Sequence, residues 1–456
     1  MRREGEILLV STYELGHAPH GIALPAAFLS RAGYRPSSLD LAVEPFDPAR
    51  VRRARLVAIS VPMHTALRLG VEAARRIRTE NPSALLCFHG LYGPLHAGLL
   101  RRHGAAAVLG GECEDDLVAL AGAIERGEDL AGFVQEGAAA ASLNRLDFPV
   151  PLRQGLPPPA RYARLVGADG VERVAGYVEA TRGCLHHCRH CPLPAVYHGR
   201  LFAVPAEVVL EDVAGQAAAG VRHVTFGDPD FLNGPGHAQR LARELHRRFP
   251  ELTFDFTAKI QHLVRDPGAV AELARCGALF VTSAVESLSE RVLAKLDKGH
   301  RRIDVFRAFE VCDGAGLALR PSLVPFTPWG TLDDYLDLVD TFEAEGWMAQ
   351  LDPVQLSIRL LVPPGSLLLG DPELELQGLD EEGLGWRWRH PDPRVDALQL
   401  RVAASVEAGV SRGADPEVVV AEVRALALAA AGRTHQHVAR PFASARTPHL
   451  TESWFC

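Results

Sequence analysis

Short apolar runs recur near the start of this chain at intervals that only one kind of sheet accommodates. EILLVST, RLVAIS, ALLCFHG and AAAVLGG are separated by helix-patterned stretches of about ten to twenty residues. Strands joined by connections of that length pair in parallel, and the crossover is usually a helix. Residues 1–137 therefore read as a doubly wound, Rossmann-like α/β domain. Such sheets bind ligands beyond the C-terminal ends of their strands, which here carry Ser11 and Thr12, Ser60, His89 with Gly90, and Gly110 with Gly111. Residues 138–175, including FPVPLRQGLPPPARYARLV, are rich in proline and lack apolar periodicity, so they read as a semi-extended linker. Strand and helix patterns resume from residue 176. Residues 371–456 read as a small helical C-terminal subdomain, with DPEVVVAEVRALALAAAG as a helix capped by Asp415 and with Trp386 and Trp388 as packing residues.

Three cysteines, Cys184, Cys188 and Cys191, stand in the run TRGCLHHCRHC directly after the strand-like GYVEA. Three thiolates on one short loop can hold three irons of a cubane and leave the fourth iron open to a small molecule. The alternative is a zinc site, with His186, His187 or His190 as fourth ligand. Structural zinc sites commonly bring a second ligand pair a dozen or more residues on, and none follows Cys191. The other cysteines, Cys87, Cys113, Cys276, Cys312 and Cys456, are scattered rather than framework-spaced, which suits a reducing compartment.

The 456 residues carry 48 basic and 56 acidic side chains, a net charge of −8, with no long basic run, so charge gives no case for a nucleic-acid partner. No uninterrupted apolar span reaches ~20 residues, and MRREGEILLV enters a strand without a signal-peptide core. These features lead us to expect a soluble, cytoplasmic protein with no membrane partner.

The run RGCLHHCRHCP resembles the cluster loop of radical S-adenosylmethionine (SAM) enzymes, and the resemblance continues in order from about Tyr177 to Ser366. It implies a partial (β/α)6 barrel of TIM type over residues 176–370, with a 4Fe-4S cluster on Cys184, Cys188 and Cys191 and SAM on its open iron. FGDPDF resembles the family's second-strand motif, which implies SAM contacts from Gly227, Asp228 and Asp230. Lys259 after the third strand, Glu286 and Ser287 at the end of the fourth, Arg320 in the fifth and Gln355 in the sixth complete the implied SAM set. His190 stands where the family often has an aromatic residue packing on adenine.

Gly-Asp-Pro-Asp in place of the usual Gly-Gly-Glu is closer to members that carry an N-terminal cobalamin-type domain. LGGECEDDL and GHAPHGIALPAAFLSRAGY resemble the loop and first helix of such domains. Cobalamin is thus an implied ligand, although the Asp-x-His-x-x-Gly motif that supplies a cobalt-ligating histidine is absent. The ending TESWFC, with Cys456 last, resembles radical SAM proteins tailed by Cys-Cys or Cys-selenocysteine and then Ala-Glu-Pro. On that reading the native chain continues through a UGA codon, and Cys456 acts on substrate.

The implied activity is reductive cleavage of SAM followed by transformation or methylation of a small molecule, with electrons from a donor such as flavodoxin or ferredoxin. One alternative is transfer of a 3-amino-3-carboxypropyl group from SAM to a soft acceptor such as arsenic. The other is a non-enzymatic iron-sulfur redox sensor, for which the sequence offers no output module.

Overall fold

The computed structural model describes residues 1–433 and 447–451, so Cys456 and the role expected of it lie outside the described residues. The N-terminal sheet contains β1 (Ile7–Ser11), β2 (Ser37–Asp40), β3 (Leu56–Ser60), β4 (Leu85–His89) and β5 (Ala105–Leu109), in the order β2-β1-β3-β4-β5 with every pair parallel. Alternation along these strands divides their side chains between two cores. Leu8, Val10, Val57, Ile59 and Phe88 pack on the helix His64–Glu80, whereas Ile7, Leu9, Ala58 and Cys87 pack on the helices His20–Arg31 and Glu114–Arg126. Helices over both faces make the doubly wound domain that the sequence pattern implied. Cys87 and Cys113 are buried in this domain, and desolvation raises both thiols above their ordinary pKa.

The second sheet begins earlier than expected. β6 (Arg164–Val166) lies inside the stretch read as linker and pairs antiparallel with β7 (Glu172–Val178). Next comes a small hairpin of β8 (Thr181–Gly183) and β9 (Leu201–Ala203), which frames the cysteine loop. β10 (His223–Phe226), β11 (Thr253–Thr257), β12 (Ala278–Glu286) and β13 (Ala318–Leu323) then add in parallel to β7. The result is a curled half-barrel. Its convex face buries Val224, Phe254, Phe256, Val281 and Leu319 against Leu241, Leu273, Phe309 and Val339 of the surrounding helices.

The expected sixth strand is largely absent. Pro353–Ser357 forms a 3-10 turn, and pairing with the fifth strand's extension is reduced to the single bridge Phe326↔Arg359. Turn chemistry prevails there: Asp352 precedes a proline, and its carboxylate accepts the Val354 amide at 3.0 Å. The Gln355 carboxamide in turn accepts the Leu323 amide at 2.9 Å, so this residue, expected at SAM, instead satisfies the exposed edge of β13. The C-terminal subdomain is not purely helical. A hairpin of β14 (Leu376–Asp380) and β15 (Gly385–Trp388) precedes the helices Pro393–Ser411 and Pro416–Ala430. Residues 449–450 then return as β16 (His449–Leu450), antiparallel to β6 at the far edge of the half-barrel. Among the described residues, no helix is long and apolar enough to cross a membrane.

Candidate active site

The cysteine loop leaves β8 at Gly183, whose φ of +78° belongs to the left-handed region. A Cβ there would lie 2.4 Å from the Arg200 carbonyl, so the turn demands glycine. Cys184 and Cys188 are buried, and Cys191 precedes the short helix Pro192–Tyr197. Asn233 Nδ2 donates to Cys184 Sγ at 3.3 Å, and Lys259 Nζ donates to Cys188 Sγ at 3.4 Å. Without a metal, burial raises the Cys184 thiol and pushes Cys191 up to about 12. A cluster cation reverses that logic by displacing the thiol protons, and donors around the sulfurs then stabilise the thiolates. The donor set fits a cluster. The three histidines considered as zinc ligands face elsewhere: His186 approaches Asp230, His190 approaches Glu286, and His187 packs near Gly199.

Glu286 is the most constrained of the expected residues. It ends β12 at a register shift and adopts φ +61°, an uncommon conformation for a side chain of this size. Its carboxylate receives Lys298 Nζ at 3.0 Å and His190 Nε2 at 3.2 Å. Burial alone would raise its pKa, but Lys298 and His190 outweigh burial and hold the carboxyl far below its usual range. Burial likewise works against the Lys298 charge, yet Glu286 and the nearby Cys188 and Cys191 keep the ammonium above its ordinary value. Sequence reading missed Lys298 because it lies in a loop after the helix Glu290–Leu296, twelve residues from its partner.

The other expected SAM contacts are placed as follows. Gly227 directly follows β10, where a Cβ would fall 1.9 Å from Tyr177 Oη, so close approach requires glycine. Asp228 turns back onto the strand entering the loop, accepting the Ala180 amide at 3.0 Å and the Thr181 hydroxyl; burial lifts its carboxyl to about 6. Asp230 faces His186 and His262. The Ser287 hydroxyl accepts the Ser289 amide at 3.1 Å. Lys259 joins the cluster loop, whereas Arg320 lies deeper, in the barrel lumen.

That lumen is a cavity of about 380 Å³, lined by Tyr177, Thr225, Asp255, Thr257, Phe280, Thr282 and Arg320 from the strands. His17 enters from the N-terminal domain, Asp352 from the 3-10 turn, and His449, Leu450 and Thr451 from β16. Asp255 accepts from His223 Nε2 at 2.9 Å and from the Thr225 hydroxyl at 2.6 Å. Desolvation lowers the Arg320 pKa, with Asp352 and Asp255 opposing it. The sequence reading passed over Asp255, although in LTFDFTAKI it stands as an acid between two buried phenylalanines, a position that strand period turns to the opposite face.

Arg182, two residues before Cys184, joins the two domains. Its guanidinium reaches Glu114 at 2.8 Å, Glu112 at 3.4 Å and Glu179 at 3.7 Å, and Tyr197 Oη donates to Glu112 at 3.0 Å. Glu112 lies in the LGGECEDDL segment beyond β5, and Glu114 opens the helix Glu114–Arg126 within it. The neighbouring glycines are covered by the chain itself: the Gly110 amide donates to Gln135, and Ser142 exchanges backbone hydrogen bonds with Gly110 and Glu112. A corrinoid on this domain would need other groups. At the end of β4, His89 is buried with an unpartnered Nε2, and burial lowers it to about 4, leaving a neutral ring.

Residues 178–339 match the family model of the radical SAM superfamily. They form a radical SAM domain. A protein of Methanocaldococcus jannaschii, provisionally named a methylthiotransferase, is 23% identical over 205 residues, 42% of this chain and 43% of the relative; the chain thus matches less than half of that protein's length. The fold resembles that of the radical SAM methyltransferase TsrM from Kitasatospora setae, solved with tryptophan and a SAM analogue, at TM-score 0.60 and 19% identity over 74% of this chain and 71% of that one. It also resembles the cobalamin-dependent SAM radical enzyme OxsB with aqua-cobalamin, at TM-score 0.66 and 14% identity over 89% of this chain and 67% of that one. At such identities the likeness establishes the shared fold, a Rossmann-like domain followed by a half-barrel.

Proposed function

We propose that the protein is an enzyme that cleaves SAM reductively and modifies a small molecule held in the barrel lumen. The observation that carries this reading is the convergence of Cys184, Cys188 and Cys191 with Asn233, Lys259, Lys298 and Glu286 at the C-terminal ends of β10 to β12, where half-barrels place reactive groups. A 4Fe-4S cluster, when bound, supplies the electron that breaks a carbon–sulfur bond of SAM. Lys259 and Lys298 offset the negative charge that three thiolates bring to a buried site. Glu286, locked by Lys298 and His190, offers a fixed carboxylate to the polar atoms of SAM. Asp255, Asp352 and Arg320 put both signs of charge around one lumen beside Tyr177 and Phe280, which suits a small polar or zwitterionic substrate with an apolar part. Methyl transfer involving a corrinoid on the N-terminal domain is the finer reading that the fold of TsrM and OxsB supports.

The test is anaerobic reconstitution with iron and sulfide, reduction with dithionite, addition of SAM, and mass spectrometry of the adenosyl product. We expect about four irons per chain, abolished in C184A, C188A and C191A, together with 5'-deoxyadenosine. Methylthioadenosine would redirect the assignment to aminocarboxypropyl transfer. Zinc in place of iron, with intact SAM, would overturn it. A corrinoid absorption spectrum retained after gel filtration with cobalamin decides whether the N-terminal domain carries that cofactor.

A further inference from the structure

We propose that His186, Asp230 and His262 form a second metal site, separate from the cluster cysteines, for one divalent ion of the zinc class. Asp230 Oδ2 lies 2.9 Å from His262 Nδ1 and 3.3 Å from His186 Nε2. All three ligand atoms lie within 4.8 Å of one another, and no other group of three or more His, Cys, Asp or Glu among the described residues converges so closely. Zinc binds nitrogen at about 2.0–2.1 Å and carboxylate oxygen at about 2.0–2.2 Å, so ligand atoms sharing one ion lie about 3–4 Å apart.

The contacts are short enough for hydrogen bonds but are not aimed as such. Asp230 Oδ2, His186 Nε2 and His262 Nδ1 are all buried, and none has a partner of hydrogen-bonding geometry. Asp230 is fully buried and His262 is 5% exposed, so leaving three such atoms unsatisfied is costly. An ion between them removes that cost. The arrangement is also braced as metal ligands usually are: Asp230 Oδ1 accepts the Leu232 amide at 3.2 Å, which fixes the carboxylate by its other oxygen. Two imidazoles and one carboxylate suit zinc or iron(II), and three protein ligands leave a coordination position open.

The three residues come from the cysteine loop, the loop that follows β10 and the helix Ile260–Arg265. An ion there pins the loop between Cys184 and Cys188 to two barrel elements. It therefore acts as a positioning site for the cluster loop, and its occupancy is read independently of SAM cleavage.

The full-length protein is loaded anaerobically with its cluster, washed with chelator and incubated with zinc, and its metals are counted by mass spectrometry. We expect about one zinc beside about four irons, with a zinc X-ray absorption shell of nitrogen and oxygen and no sulfur at about 2.3 Å. Asp230→Asn, which keeps the side-chain shape, and His262→Ala should each lose the zinc while retaining iron. Zinc well below one per chain, a sulfur shell, or zinc retained in both variants would overturn the proposal and leave Asp230 as a carboxylate placed between two imidazoles.

Discussion

Replacing Arg182 by methionine keeps most of the stem's packing and removes the guanidinium that Glu112, Glu114 and Glu179 share. The Glu112 and Glu114 side chains are 0% and 4% exposed, so water cannot take over from the guanidinium. Removing one partner of a buried ion pair costs about 3–5 kcal/mol, because the remaining charge is left uncompensated. The cost should depend on pH in a definite direction. Burial already raises the Glu112 carboxyl and Arg182 opposes that rise, so R182M raises it further. A carboxyl whose folded pKa exceeds its unfolded value binds more protons when folded, so stability falls as pH increases. The defect should therefore grow from about pH 5 upward, by about 1.4 kcal/mol per pH unit for each carboxylate titrating in that window. Urea unfolding of R182M, E112Q/E114Q and the triple variant, from pH 5 to 8, measures this. We expect a large coupling energy, with neutralisation of the glutamates recovering much of the loss. A defect below about 1 kcal/mol, or one that is flat with pH and unrescued, would refute the assignment of this cluster as the electrostatic tie between the domains.

Glu286→Gln should leave the Lys298 ammonium buried without its carboxylate and destabilise the barrel by about 3 kcal/mol, while suppressing SAM cleavage in protein that still holds iron. Because the wild-type carboxyl is held far below its ordinary value, the stability gap between the two proteins should be full above about pH 5 and shrink as pH falls further, a trend that denaturation at pH 3.5 to 7 checks. Gly227→Ala should force Tyr177 out of the lumen, costing about 1–3 kcal/mol, and a crystal structure with an unmoved Tyr177 ring would contradict it. Removing residues 447–456 strips β16 from β6, so amide exchange at Arg164 and Val166 should rise while that of β10 and β11 stays unchanged.

Much of the fold was legible because it is written in local periodicity. Four strands of the first sheet, β1, β3, β4 and β5, are largely buried, so they appear as short continuous apolar runs, and the helix-length gaps between runs favour parallel pairing; the edge strand β2, SSLD, carries no such run and went unread. The cysteine loop was legible for a similar reason, since its ligands lie within eight residues. The sixth strand was not, because Val354, Leu356 and Ile358 alternate like a strand while Asp352 and Pro353 impose a turn that no apolar pattern registers. Asp228 and Asp230 read as a ligand motif, but their oxygens are claimed by Thr181, Ala180 and Leu232 and approached by His186 and His262.

The sequence by itself determined four parallel strands of the first sheet, the succession of parallel strands after the cysteine loop and the close spacing of Cys184, Cys188 and Cys191, because period and spacing act over a few residues. Only the tertiary structure decided that Lys298 would lock Glu286, that Arg182 would bind the loop beyond β5, and that His449 to Thr451 would return to line the lumen. Those pairings join residues 12 to 287 positions apart. A buried charge takes whichever counter-charge the folded chain brings within reach, and its own sequence neighbourhood does not record which one that is.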